Sequence, residues 1–464
     1  LSSSGNLSFT YTGYPAQATV NVNGNVTVTA GTFSLSGTSS TGTLNVNGNF
    51  THSGGTITEL STGSGSIIFS GTGTQVFTSG GTISKTINFT VSSGSTLQMG
   101  TGASPSILSG SDGYFTLSPG ATLGITSTSG ISKTTAAGNI RVTGTRTYSP
   151  GASYIYNGTS AQTTGDGLMQ NTPANLTIDN SAGVTLSEAT TISGLLALSN
   201  GTLNMANINL TVGSLTGAGG ITNTSGTPSN VTITAGSDNT SPAAYSGVIE
   251  NGNAGSVSLI KTGTGTLTLS GVNTYTGATA ISGGTLQFGV AGSISSSSNV
   301  ILNGGTLRTG ATTGYSQAPG TLNLQSASTI ALGTGEHSVT FGSSKDLSWA
   351  SGAKLTITGW SGTPGSGGLG GRVFFGSDAT GLKTDQLSQI TFYGYNPGAV
   401  ILSTGEITPT GIPAISIASP DPAVDAGNII QQASDNVIYR FDNAVTLGDA
   451  VMTGLQITTD GTYS

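Results

Sequence analysis

Cysteine is absent from this chain of 464 residues, so it contains no disulfide and no thiolate metal site. Charged residues make up only 6% of it, where about 25% is usual, and aromatic residues make up another 6%. The formal net charge is −7, and no basic stripe is present that would neutralise phosphates, which argues against nucleic acid as a partner. No run approaches 18 apolar residues, so the sequence predicts no membrane-spanning helix.

Glycine is abundant, with 75 residues, and 34% of the chain is hydrophobic. Low charge combined with this apolar content argues against disorder, and the absence of a Gly-X-Y period excludes collagen. The bulky apolar residues are spread thinly and evenly among serine, threonine, asparagine and glycine. That distribution predicts a long, narrow core instead of a spherical one.

The stretch Leu259–Gly289 shows the local pattern most clearly. Short runs alternate apolar and small polar residues, as at Leu267 and Leu269, which is the period of a strand. Glycine-containing turns such as Ser282-Gly283-Gly284 separate the runs. Each run is too short to form a core alone, but stacked runs bury one continuous apolar column. The sequence therefore predicts an all-β fold, a parallel β-helix.

The N-terminal segment, residues 1–130, repeats the pattern. Val20 and Val22 alternate with polar residues before Asn23-Gly24, and Val26 and Val28 follow it. Alone, this arrangement would predict a hairpin. Because similar units recur throughout the segment, we favour successive solenoid coils. With about twenty residues per coil, the chain up to position 410 gives about twenty coils.

One motif resembles a known family. Gly271–Leu286 fits G-x-x-T-Y-T-G-x-T-x-I-x-x-G-T-L and resembles the autotransporter-associated β-strand repeat of secreted β-helical passenger proteins. The resemblance covers roughly thirty residues. It implies a right-handed parallel β-helix in an exported protein.

A second resemblance lies within residues 131–216. The runs 154–158, 161–165, 175–186 and 195–203 are similar to a repeat of very large surface proteins exported by the type IX secretion system, including gliding adhesins. Together the resemblances imply a non-enzymatic stalk or adhesive repeat region of a large adhesin at the bacterial cell surface. Export by the type IX pathway is the first choice, with an autotransporter passenger second. The implied partners are the secretion translocon, other modules of the same chain, and a surface or glycan ligand of unknown identity.

The expected organisation has three parts. Residues 1–371 are β-helix repeats, with an irregular excursion at about 217–258 that is either a loop or a poorly matched coil. Residues 372–412 are richer in aromatics, contain the only predicted helix within 382–390, and form the C-terminal cap. Residues 413–464 are the start of an immunoglobulin-like module, too short to be complete. Because the chain begins at Leu1 without a methionine, we expect it to be a piece of a longer polypeptide.

No catalytic, cofactor-binding or metal-binding residue is predicted. His52 and His337 are far apart in sequence and lack neighbouring ligands, so surface placement is expected for both. Glu336-His337 has the composition of an acid–base pair but no positioned nucleophile. Two alternatives remain open: a carbohydrate-active β-helix enzyme, either a polysaccharide lyase or a hydrolase with carboxylates gathered by stacking, and a subunit of a self-assembling surface filament.

Three further motifs have simpler explanations. Residues 365–370 fit G-x-G-x-x-G but lack the strand–turn–helix context of a dinucleotide site. Asp421 and Asp425 are suited to calcium at a module junction, although a solvated linker is the favoured interpretation. The Thr-x-Thr elements (Thr27/Thr29, Thr266/Thr268) suggest an ice-matching face but recur at no fixed period, so this function is not favoured.

Overall fold

The structure, a computed structural model, describes residues 1–8, 17–36, 41–59, 64–101, 105–168, 172–253 and 255–411. These residues form a parallel β-solenoid of about fourteen turns with almost no helix. The all-β prediction and the parallel-solenoid prediction are therefore confirmed, while the right-handed sense stays a prediction.

The longest sheet has fifteen strands, and every neighbouring pair in it is parallel. Its strands are, in order along the sheet, Ser2–Ser3, Val26–Val28, Phe50–His52, Thr74–Ser79, Thr96–Met99, Thr122–Ile125, Ser153–Tyr156, Leu176–Asp179, Thr190–Asn200, Leu210–Gly217, Val231–Ala235, Val257–Lys261, Thr279–Ile281, Val300–Asn303 and Leu322–Ser326.

Two six-stranded parallel sheets form further faces of the solenoid. The N-terminal one contains Gln17–Val22, Thr41–Val46, Gly65–Phe69, Ile87–Val91, Phe115–Leu117 and Arg146–Tyr148. The C-terminal one contains Thr266–Leu269, Thr285–Phe288, Thr306–Arg308, Ser328–Ala331, Leu355–Thr358 and Ile390–Phe392.

The remaining sheets are shorter. Parallel sheets comprise Leu7–Ser8, Thr32–Ser34, Thr56–Thr58 and Thr82–Ile83; Leu108–Gly110 and Ile140–Val142; and Gln162–Thr163, Val184–Thr185, Thr202–Asn204 and Gly220–Thr222. A mixed sheet has the order His337–Phe341, Gly371–Phe375, Glu406–Pro409, Ala399–Ile401, and an antiparallel pair joins Gly362–Thr363 to Gly367–Gly368.

The turn at Asn23-Gly24 separates two faces and does not close a hairpin. Gln17–Val22 before it pairs with Thr41–Val46, whereas Val26–Val28 after it pairs with Phe50–His52. Each strand thus pairs in parallel with its counterpart in the next coil and not with the strand across the turn. The preference for coils over a hairpin is confirmed.

Side chains along each strand point alternately inward and outward, and the inward ones form the core. Leu44, Val46, Phe69 and Val91 point inward and are fully buried, while the residues between them face outward. Large rings stack from coil to coil, as where the ring centroids of Phe50 and Phe77 lie 5.7 Å apart. Each inward side chain of this size contributes roughly 1.5–3 kcal/mol through removal from water, so the core is a column of many similar contributions.

Coil length varies widely. Leu196 pairs with Leu215 across a short coil, whereas Thr122 pairs with Ser153 across a much longer one. Most coils are longer than we predicted, and the solenoid therefore has fewer turns than expected. Loops at the corners absorb the additional residues, because the length of each inward-facing strand is fixed by the width of the core.

Residues 217–258 form a coil, the second of the two forms that we predicted for this irregular stretch. Val231–Ala235 pairs with Leu210–Gly217 on one side and with Val257–Lys261 on the other. Buried Tyr245 bridges Gly217 to the following coil, and its hydroxyl donates to the Gly219 carbonyl at 2.8 Å. The segment is thus a coil. Because its turns are rich in proline and asparagine, its strand was not evident from the sequence.

Strand pairing changes from parallel to antiparallel near the C-terminal end of the described chain. Glu406–Pro409 runs antiparallel to Gly371–Phe375, and a short helix, Thr384–Ser388, covers the end of the column where Gln386 is buried. Trp360 packs edge-on against Phe392, with ring centroids 5.4 Å apart. This is the segment for which we predicted a cap and a short helix.

The residues that the structure describes contain no helix with the length and apolarity needed to cross a membrane. The predicted immunoglobulin-like module, residues 413–464, and the Asp421–Asp425 junction lie outside the described residues.

Candidate functional site

Both histidines are buried, so the prediction of surface placement is wrong. His52 ends the strand Phe50–His52, with its ring inside the solenoid and its Nε2 atom 3.3 Å from the Gly55 carbonyl oxygen. Its Nδ1 atom has no hydrogen-bond partner among the described residues. Burial therefore lowers the pKa of His52, partly offset by the Gly55 carbonyl.

His337 lies between glycines of two adjacent coils. Its Nε2 is 2.9 Å from Thr309 Oγ1, and its Nδ1 is 2.9 Å from the Gly335 carbonyl oxygen. A Cβ atom at Gly314 would lie 2.2 Å from the ring, and one at Gly371 would lie 2.7 Å from it. The neighbouring coils thus leave just enough room for the imidazole, whose two nitrogens are satisfied by the protein.

Glu336 and His337 do not form an acid–base pair. Glu336 is exposed, while His337 is buried. Glu336 lies in an exposed bend just before the strand His337–Phe341, whereas the His337 side chain points into the solenoid. This separation removes the geometric basis for general acid–base chemistry at the pair.

The glycine-rich residues 365–370 lie on a surface hairpin. Gly362–Thr363 pairs antiparallel with Gly367–Gly368, and the strand Gly371–Phe375 follows at once. The Gly368 amide donates to Glu406 Oε1 at 2.7 Å. Because a strand and not a helix follows the glycines, the dinucleotide-binding geometry is not formed.

Threonines form a column on the C-terminal six-stranded sheet that sequence spacing does not show. Strand register places six of them on consecutive strands, all half-buried on the outer face: Thr266, Thr285, Thr306, Thr329, Thr356 and Thr391. The parallel column that begins at Thr268 continues with Gln287, Arg308 and Ala331. A two-column Thr-x-Thr face therefore does not form, and the single column supports cross-strand packing.

Lys261 was missed by the sequence analysis. It ends the strand Val257–Lys261 with its side chain buried, and Nζ donates to the carbonyl oxygens of Thr262, Gly263 and Gly283. Burial lowers its pKa to about 8, against a weaker opposing effect of Asp238. A lysine of this pKa is a potential nucleophile, but the adjacent cavity of about 10 Å³ admits no substrate.

Within the described ranges, no group of three or more histidine, aspartate or glutamate side chains is placed to hold a metal ion. The two buried glutamates, Glu59 and Glu406, lie in different parts of the solenoid. Stacking therefore does not assemble a metal site from the acidic residues of the described chain.

An open groove with a volume of about 630 Å³ lies on the side of the solenoid. It crosses four consecutive coils and is lined by residues 272–274, 292, 294–297, 316–318, 338 and 340. We call it the lateral groove. None of its lining residues is charged.

Buried amide side chains shape the floor of the lateral groove. Asn273 accepts from the Ile249 amide at 2.7 Å and donates to the Ser293 carbonyl at 2.7 Å. Gln317 accepts from the Gly292 amide at 3.1 Å and donates to the Val290 carbonyl at 2.7 Å. These side-chain contacts join each amide's coil to a neighbouring coil, beside backbone bonds such as that from the Gln317 amide to the Ser338 carbonyl. The buried amides gave no distinctive sequence signal among so many asparagines and serines.

Comparison with known proteins adds a family match. The passenger-associated-transport-repeat family matches residues 259–288. The match coincides with the stretch whose motif, Gly271–Leu286, resembled an autotransporter-associated repeat, and it confirms that resemblance. The matched segment includes the wall of the lateral groove at Val272–Thr274.

A curated relative is similar over part of the chain. It is the adhesin BmaC autotransporter of Brucella suis biovar 1 (strain 1330), 37% identical over 107 residues. The similarity covers 22% of this chain and 3% of the relative, so the chain spans only a small part of that adhesin's length. No solved structure matches the chain significantly.

Proposed function

We propose that this chain is a β-solenoid region of a bacterial autotransporter adhesin passenger, displayed at the cell surface. There it extends away from the cell and contributes an adhesive surface. The observation that carries the proposal is the coincidence of the family match with one complete, regular coil of a continuous parallel solenoid. A solenoid whose residues are used mainly for stacking is suited to a mechanical role, because load is shared among parallel ladders of backbone hydrogen bonds.

The similarities favour the autotransporter route over the type IX route that was our first choice. The family name refers to a passenger and to transport, and the relative is named as an adhesin and an autotransporter. Neither similarity supports type IX export or gliding motility. A non-enzymatic role fits the scattered carboxylates, and we do not favour the lyase or hydrolase alternative.

Surface display tests the export part of the proposal. The chain is fused to an autotransporter β-domain in a Gram-negative host, and external protease measures the exposed fraction. Deleting residues 259–278 removes one coil, because Leu259 pairs with Thr279. We expect display to fall severalfold. The matched control deletes residues 300–321, also one coil, because Val300 pairs with Leu322; it is expected to retain display. Equal display of both deletions contradicts a transport role of the matched repeat.

Adhesion is tested separately with the purified chain. Latex beads coated with it are compared with albumin-coated beads for attachment to epithelial monolayers and to polystyrene. Attachment several times above the albumin level supports an adhesive surface on this region. Attachment at the albumin level on both substrates contradicts the adhesive role and leaves a purely spacing function.

A further inference from the structure

We propose that the lateral groove binds a neutral oligosaccharide along the solenoid axis. The proposal rests on the proposed adhesive function for its biological role, but the binding site itself follows from the groove. Its volume of about 630 Å³ lies within the range of ligand-binding clefts. Four coils spaced about 4.8 Å apart give it a length of about 14 Å.

Hydroxyl groups without protein partners line the lateral groove. In the described structure, five of them make no hydrogen bond to the protein: those of Thr274, Ser296, Ser297, Ser338 and Thr340. Buried hydroxyls beside them behave differently. Ser293 Oγ donates to the Leu269 carbonyl at 2.7 Å, and Ser298 Oγ donates to the Gly277 carbonyl at 2.7 Å. The free hydroxyls are therefore those that face the groove.

Sugar hydroxyls match this lining. A serine or threonine hydroxyl both donates and accepts, as a sugar hydroxyl does, so each contact is satisfied in either direction. Val272, 57% exposed, and exposed Ala318 provide small apolar surfaces for the C–H faces of a pyranose ring. The lining combines hydroxyls and small apolar patches along its length.

The charge and backbone of the groove exclude two other ligand classes. No lysine or arginine lines it, so a uronic-acid or sulfated chain would lose hydration without gaining a counter-charge. Backbone amides of the wall are already bonded to neighbouring coils, as those of Asn273, Gln317 and Thr340 are. A peptide therefore has no edge on which to add as a strand.

The test measures binding by isothermal titration calorimetry on the full chain. The neutral probes are cellotetraose, chitotetraose, maltotetraose and mannotetraose, and the charged probe is tetragalacturonate. Ser297→Trp fills the groove, and Ser351→Trp makes the same change at an exposed turn outside it. We expect at least one neutral probe to bind, Ser297→Trp to weaken that binding more than tenfold, and Ser351→Trp to leave it unchanged. Thr274→Val, which removes one hydroxyl at nearly constant volume, is expected to weaken it about threefold to tenfold.

Three results overturn the proposal: no binding of any neutral probe at millimolar concentration, equal binding by Ser297→Trp and the wild type, or tighter binding of tetragalacturonate. Bead attachment distinguishes this failure from that of the proposed function. If beads attach but no oligosaccharide binds, only the groove assignment fails. If an oligosaccharide binds in the groove but beads do not attach, the adhesive role fails while the binding site stands.

Discussion

At the scale of single residues, glutamine side chains close the corners of the solenoid. Gln75 is buried, accepts from the Gly71 amide at 2.9 Å, and donates to the carbonyls of Val46 and Gly48 at 2.8 Å each. Gln162 repeats this arrangement, accepting from the Gly158 amide at 2.9 Å. Both glutamines bind carbonyls of the preceding coil as well as the amide of a glycine shortly before them. The corner amide thus adds side-chain hydrogen bonds between consecutive coils at the end of the strands.

We expect Gln75→Leu to reduce the free energy of unfolding by about 2–3 kcal/mol, because the Gly71 amide and the Gly48 carbonyl lose their side-chain partner and the Val46 carbonyl keeps only its bond from the Ser70 amide. Urea denaturation measures the loss, and hydrogen exchange at Gly71 reports it locally. Gln287→Leu is the matched control, because half-buried Gln287 makes one side-chain bond, to Thr268 Oγ1 at 3.2 Å. We expect Gln287→Leu to change the free energy of unfolding by no more than about 0.5 kcal/mol. Equal losses in the two variants contradict a corner role.

The burial of His52 predicts that the free energy of unfolding decreases at acidic pH. Its pKa in the folded protein is lowered from 6.5 by burial, so unfolding favours protonation. The contribution of neutral His52 is therefore complete above pH 6.5 and is lost as pH falls below that value. Unfolding midpoints in urea at pH 7.5 and pH 5 measure this loss. We expect His52→Leu to reduce the difference between the two midpoints, and an undiminished difference shows that His52 is not its source.

At the scale of strands and coils, glycines in one coil pack against large side chains in the adjacent coil. Gly314 and Gly371 lie on either side of the His337 ring, and strand register pairs Gly371 directly with His337. Similarly, a Cβ at Gly81 would lie 2.1 Å from His52 Nε2. A glycine in one coil thus makes space for a ring in the next. This packing explains how both histidines are buried in so narrow a core.

We expect Gly314→Ala to reduce the free energy of unfolding by about 1–3 kcal/mol through overpacking against the His337 ring. In a His337→Ser background the added methyl group has room, so the same substitution should have little effect. A double-mutant cycle with chemical denaturation measures the coupling. Gly73→Ala is the control, because nothing lies within 4 Å of its added Cβ. Additive effects of the two substitutions contradict direct contact between the glycine and the ring.

The strands were predictable from sequence because alternation and glycine turns are local signals. Val26–Val28, Thr266–Leu269 and the helix Thr384–Ser388 lie where the pattern predicted strands and a helix. Register between coils was not predictable, because corner loops of different lengths make the coils unequal. The threonine column from Thr266 to Thr391 is regular in space but irregular in sequence for this reason.

The lateral groove was unpredictable for the same reason. Its wall brings together residues 272–274 and 338–340, which are more than sixty positions apart. Buried Asn273 and Gln317 connect neighbouring coils there, but asparagine and glutamine are equally typical of exposed turns. The burial of His52 and His337 also depends on glycines in other coils. Sequence patterns predict the conformation of the strand in which a residue lies. The lateral groove and the burial of the two histidines depend instead on the neighbouring strands.

At the scale of the whole molecule, each coil contacts mainly its neighbours, so the solenoid is modular along its axis. Residues 300–321 form one coil, because Val300 pairs with Leu322 and Thr306 pairs with Thr329. Removing the whole coil brings Asn299 next to Leu322 and preserves the inward and outward alternation on both sides. Removing part of a coil instead places a strand of one face against a strand of another.

We expect the variant lacking residues 300–321 to fold as an all-β protein shorter by about 4.8 Å along the axis, as measured by small-angle X-ray scattering and circular dichroism. Deleting only residues 300–310 is the control. It keeps Leu322 from taking the position of Val300 beside Thr279, so apolar residues meet the wrong face and stability should collapse. If the half-coil deletion were as stable as the full-coil deletion, coil register would not govern the fold. Because Gln317 and Ser316 leave with the full coil, that variant should also lose any oligosaccharide binding in the lateral groove while it remains folded.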